Sequence, residues 1–133
     1  MARPLARSML LLLAPFVFFL MGCSVGNQIA EQKTLLHVFA YTPLGTATQQ
    51  DFENFKKTTE DMVGKIPGLR KVWVAKLREP IPAGDKIRSF AVGMEFDNLQ
   101  ALEGYAGNPI HKQWEQVYER VQEQGTTTLD IIP

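Results

Sequence analysis

A chain of 133 residues has room for one domain, and its 14 basic residues balance 14 acidic ones. That balance excludes the strongly basic surface of a nucleic-acid binder. Cys23 is the only cysteine, so an intrachain disulfide is excluded and packing alone must hold the fold.

The predicted elements begin with a leader. Arg3 and Arg7 precede an apolar run from Met9 to Met21, which stops at Leu20-Met21-Gly22-Cys23. The run is short for a membrane span, with a charged head and small residues at its exit. It resembles a bacterial lipoprotein signal, with residues 1–22 removed and Cys23 lipidated; the alternative is an uncleaved signal anchor. The expected location is the cell envelope, anchored through Cys23 and facing the periplasm, on the outer membrane if the cell has one. Several acyl chains anchor stably where one binds only marginally. Removing residues 1–22 takes away Arg3 and Arg7 and no acid, leaving 12 basic residues against 14 acidic. Residues 23–33 read as a lipidated N-terminus and polar tether, and residues 34–133 as the folded domain.

Leu35, His37, Phe39 and Tyr41 alternate with Leu36, Val38 and Ala40, a strand apolar on both faces and so central in a sheet. Thr48 with Asp51 resembles a capping box. The stripe Phe52, Phe55, Thr59, Met62, Val63 and Ile66 predicts a helix that Pro67-Gly68 stops. Leu69–Arg78 predicts a second strand whose Arg70, Lys71, Lys76 and Arg78 suit a protected sheet edge. Glu79–Lys86, with two prolines, reads as a loop too long for a two-residue hairpin. Phe90, Val92, Met94 and Phe96 give a third strand, alternating with Ala91, Gly93 and Glu95. Asp97 or Asn98 caps the next helix, which carries Leu99, Leu102 and Tyr105. Asn108 then caps a further helix with Pro109 in its first turn, followed by His111. Ile110, Trp114, Val117, Tyr118 and Val121 share one face of that helix. Gly125 closes it, and Thr126–Ile132 is a last β-branched strand.

The order is β-α-β-β-α-β, with the second helical stretch broken at Asn108-Pro109. It predicts an α+β, ferredoxin-like antiparallel sheet with its helices on one face. The other face, including Leu36, Val38, Ala91, Gly93 and Val72 or Val74, has nothing in the chain to cover it. A second copy packed sheet against sheet is the simplest cover, giving a homodimeric barrel.

Several of these residues carry a family resemblance. Leu36-His37-Val38, Ile66-Pro67-Gly68, Phe96 with Ala101-Leu102, the spacing Tyr105-x-x-x-Pro109-x-His111, and Asp130 together resemble the Dabb domain, or stress-responsive A/B barrel. The resemblance covers about residues 35–132. Asn108 stands where the family often has histidine, and a lipoprotein signal is not a usual family feature. The family contains a plant olivetolic acid cyclase, which closes a linear polyketide thioester by aldol condensation. By that resemblance His111 is the catalytic base, Asp130 the carboxylate that orients it, and His37 and Tyr105 contact the substrate. Imidazole is the side chain that takes a proton beside a carbonyl near neutral pH, and a phenol can bond the developing oxyanion. The first and last strands are neighbours in this topology, so His37 and Asp130 are expected to approach each other beneath the helix that starts at His111.

Plainer readings compete. His37 can be a satisfied core histidine, His111 a structural contact in a helix start, and Tyr105 a packed ring with its hydroxyl turned outward. Two separated histidines and a single cysteine do not make a zinc site, and no glycine-rich phosphate loop is present. Neither a metal nor an organic cofactor is expected. Ser24 and Ser89 have no base at motif spacing, and Trp73 and Trp114 are expected in the core. The function expected is binding of a small hydrophobic carbonyl or polyketide-like compound, with its transformation by His111 as base left open. The alternatives are a non-catalytic stress-response scaffold and a haem-handling or monooxygenase-type small barrel.

Overall fold

The computed structural model describes residues 30–133, so the leader of residues 1–22, Cys23 and most of the tether lie outside the described residues. The elements run β1 (Leu35–Pro43), α1 (Gln49–Glu60), β2 (Leu69–Ala83), β3 (Lys86–Phe96), α2 (Leu99–Gly107), α3 (Pro109–Tyr118) and β4 (Gln122–Ile131). The strands form one antiparallel sheet in the order β2-β3-β1-β4. This is the α+β, ferredoxin-like arrangement that the order of elements implied, with β1 inside the sheet and β2 at its charged edge.

Directly opposed residues share a face of the sheet. Leu35, Phe39 and Tyr41 of β1 therefore point with Val92, Met94 and Phe96 of β3 toward the helices, and all six are buried. Phe55 of α1 and Trp114 and Tyr118 of α3 complete this core. Their rings meet Tyr41 and one another at centroid distances of 5.1–6.0 Å. Two of the polar groups caught in it are satisfied in sequence: Trp114 Nε1 donates to Thr59 Oγ1 at 2.8 Å, and Thr59 Oγ1 donates to the Phe55 carbonyl at 2.7 Å.

The caps follow the expected chemistry. Thr48 Oγ1 accepts from the Asp51 backbone at 3.1 Å while the Asp51 carboxylate accepts from the Thr48 backbone at 2.9 Å. Asn98, not Asp97, caps α2, accepting from the Ala101 backbone at 3.0 Å; Asp97 instead pairs with Arg70. Gly68 has φ +78°, and a methyl group there would overlap the Ala101 side chain. Only glycine lets α2 settle so close to the start of β2, and that settling places Tyr105 over the sheet.

Four expectations are corrected. The first helix ends at Glu60 rather than at Pro67. Gly64, at φ +80°, turns the chain, so that Met62 and Ile66 still reach the core while Val63 faces outward. The segment read as a loop, Glu79–Lys86, is mostly strand. β2 runs on to Ala83 and a two-residue turn, Gly84-Asp85, closes the hairpin. Gly84 has the positive φ of a primed turn's first position, and the prolines are tolerated because β2 is an edge strand with a register shift between Lys76 and Ile81. Gly125 does not close a helix: α3 ends at Tyr118, and Gly125 lies within β4 at φ +102°.

The fourth concerns the uncovered face. Val72 and Val74 pack with the helix-side core, and Trp73 is the residue of β2 that lies outside. Trp73 is 48% exposed and rests over Gly93, where a Cβ would stand 3.1 Å from the indole. Only Trp114 of the two tryptophans is a core residue. Leu129 and Ile131 of β4 extend the same apolar face and are also exposed.

Candidate active site

The site begins with a pair of opposed residues. His37 of β1 sits directly across from Asp130 of β4, so both point to the helix side. His37 Nδ1 lies 2.6 Å from Asp130 Oδ1. A carboxylate only accepts, so Nδ1 carries the proton, and in the neutral ring the lone pair is on Nε2. The approach of these residues is as the topology implied. The resemblance gives this carboxylate to His111; in the structure it belongs to His37.

His111 and Tyr105 come down from above. Asn108 ends α2 and caps α3, its Oδ1 accepting from the Ile110 backbone at 2.9 Å. This one-residue joint turns the last helical turn of α2, with Tyr105, toward the first of α3, with His111. The two rings stand 4.0 Å apart between centroids, and Tyr105 is 6.3 Å from the His37 ring. The joint thus brings all four expected residues around one cleft of about 380 Å³. Phe39, Trp114 and Tyr118 give the cleft an aromatic wall, and Thr126, Thr128 and Asp130 form a floor open to solvent along β4. A hollow of the same size between Ile66 and Asn108 contains no imidazole, and its Asp97, Asn98 and Asn108 are already engaged in ion pairing and capping.

The two imidazoles have different surroundings. His111 is buried, and Nδ1 has no hydrogen-bond partner among the described residues. Desolvation lowers its pKa below the ordinary 6.5, and the proximity of His37 acts in the same direction. The Glu115 carboxylate, 3.9 Å from Nε2, and the Ala106 carbonyl oppose this without reversing it. His111 is therefore a neutral ring at neutral pH, whereas the His37 ring has a carboxylate in hydrogen-bond contact. Burial also pushes the Tyr105 phenol well above its ordinary range, so it stays a donor, and its buried hydroxyl has no partner within the described residues. Glu115 escaped the sequence reading, although its position four residues after His111 is the signal that puts it beside that ring.

The family model described as Stress responsive A/B Barrel Domain matches residues 36–131. No curated protein matches the chain. Among solved structures, a dimeric ferredoxin-like protein from Jannaschia sp. superposes with TM-score 0.61 at 16% identity, covering 75% of this chain and 99% of that one. A hydroxynitrile lyase from Passiflora edulis gives 0.61 at 9% identity, covering 77% and 95%. A cofactor-independent oxygenase, SnoaB from Streptomyces nogalater, gives 0.57 at 14% identity, covering 77% and 94%. At these identities the likeness is one of fold.

The buried ring has a consequence for stability. Folded His111 binds a proton less readily than it does in the unfolded chain, so below pH 6.5 the unfolded state takes up more protons and stability falls as pH falls. The melting temperature should drop between pH 7.5 and 5.5, and His111→Gln should flatten that drop. An equal slope in the variant would show that His111 does not titrate as a buried neutral ring.

Proposed function

The chain belongs to the stress-responsive A/B barrel domain family, and on that premise we propose that its cleft binds a small hydrophobic carbonyl compound and moves protons on it. The observation that carries this reading is the convergence on one aromatic cleft of a neutral, desolvated imidazole and a carboxylate-paired one.

His111 is the base: its neutral ring removes a proton from the carbon beside the carbonyl. Tyr105 donates its hydroxyl hydrogen to the enolate oxygen that forms. The imidazolium so formed on His111 hands its proton to the second carbonyl oxygen as the new carbon–carbon bond closes, while His37, its Nδ1–H held by Asp130, contacts the substrate. One proton is taken and one is delivered, and the same groups run the reverse cleavage. A filled core around the histidines would favour a scaffold; an open cleft touching both favours chemistry. Relatives of the same fold include a lyase and a cofactor-independent oxygenase, which supports a cleft of this type being used for catalysis.

Two further assignments complete the proposal. A second copy covers the face of Leu36, Val38, Trp73, Leu129 and Ile131, as the dimeric neighbour of the same fold suggests. Lipidated Cys23 holds the protein to the envelope membrane.

Each part has its own measurement. With a linear β-polyketo thioester as probe, the wild type should accelerate aldol closure, and His111→Gln and His37→Ala should each lose roughly 10²- to 10⁴-fold in kcat. Retention of the wild-type rate by either folded variant removes that residue from the mechanism. By sedimentation the full chain should be a dimer and Trp73→Lys a monomer; a monomeric wild type would refute the second copy. Cys23→Ala should pass from the membrane fraction to the soluble one, and a variant that stays membrane-bound argues against lipidation there.

A further inference from the structure

Arg88 of β3 is 7% exposed, yet it has no carboxylate within ion-pairing distance among the described residues. Two residues before Phe90, it continues the helix-side row of β3. Its Nη1 donates to Thr42 Oγ1 at 3.0 Å, and Nη2 lies against Gly125, 3.3 Å from where a Cβ would be. Its Nε has no partner among the described residues. Three more buried polar atoms in this part of the fold also lack partners: the hydroxyls of Tyr41 and Tyr118, and Gln122 Oε1. A buried cation without a counter-charge costs several kcal/mol, and native proteins pair or ligate such groups. Tyr118 and Thr126 are among the residues that line the cleft, and Gly125 directly precedes Thr126. Arg88 does not itself line the cleft, but its contact with Gly125, next to Thr126, sets the guanidinium behind the wall at the end farthest from His37 and Asp130. Its field also opposes the upward push that burial gives the Tyr118 phenol, which places the two groups within electrostatic reach.

We propose that this end of the cleft is an anion site, in which Arg88 with the Tyr118 hydroxyl receives a carboxylate on the ligand. The inference rests on the reading of the cleft as a binding site for a carbonyl compound, and it narrows that class to amphipathic acids. The level of Tyr41 and Thr126 is four residues along β1 from His37, roughly 13 Å at strand rise. The ligand is thus a molecule with an apolar body, its reactive carbonyl at one end and its carboxylate at the other. A missing side chain at Gly125 leaves room for the guanidinium, and the aromatic wall covers the body between the two ends.

The test compares two probes on the purified full chain by isothermal titration at pH 7.5: 4-phenylbutyrate and its methyl ester. The acid should bind at least tenfold more tightly than the ester, and Arg88→Gln should bring the two within twofold. Arg88→Lys, which keeps the charge, should retain part of the preference and guards against misreading a folding defect. Equal binding of acid and ester by the wild type, which needs no variant, overturns the anion site and leaves the acid–base reading intact. A preference that survives in folded Arg88→Gln also overturns it. If neither probe binds, the cleft is not a ligand site, and the anion site falls together with the reading on which it rests.

Discussion

The antiparallel register of β1 against β4 is the constraint on which the site depends. It sets His37 opposite Asp130, Phe39 opposite Thr128 and Tyr41 opposite Thr126. A slip of one residue would turn every one of these side chains to the other face of the sheet, and the imidazole would lose both its carboxylate and its cleft. The register is held because the same alternation buries Leu35, Phe39 and Tyr41 under the helices. Packing energy that stabilises the fold thereby also holds a polar pair in place.

The second half of the site is organised by a helix break. Asn108 closes one helix and caps the next, and Pro109 is pre-set for a first helical turn. A continuous helix across this stretch would place Tyr105 and His111 six residues apart along one rod, on different faces. The break instead brings their rings together at 4.0 Å. Burial then gives the two histidines different surroundings. His111, taken out of water at a helix start, is held neutral, while His37 keeps a carboxylate at 2.6 Å.

The two faces of the sheet have different fates for the same physical reason. Helices bring large apolar side chains that satisfy one face, and the described residues hold no second helical layer for the other. Trp73, Leu129 and Ile131 remain on that outer face, with Gly93 small beneath the indole. β2 guards its own edge with charges, two prolines and a register shift, so the sheet does not invite stray strands there. The apolar surface available for association is therefore the flat of the sheet.

Much of this was legible in the order of residues. Alternation at β1 and β3, the capping residues Thr48, Asn98 and Asn108, and the spacing from Tyr105 to His111 all act over a few residues, where local chemistry decides the outcome. Those local patterns determined the fold class, the family and the four residues at the cleft. Only the tertiary structure decided which histidine takes Asp130, that Trp73 rather than Val72 or Val74 faces outward, that β2 reaches Ala83, and that Arg88 is buried without a carboxylate from the described residues. Each of these depends on register and packing between segments distant in the chain, and no local periodicity encodes the partner that a side chain meets across the sheet.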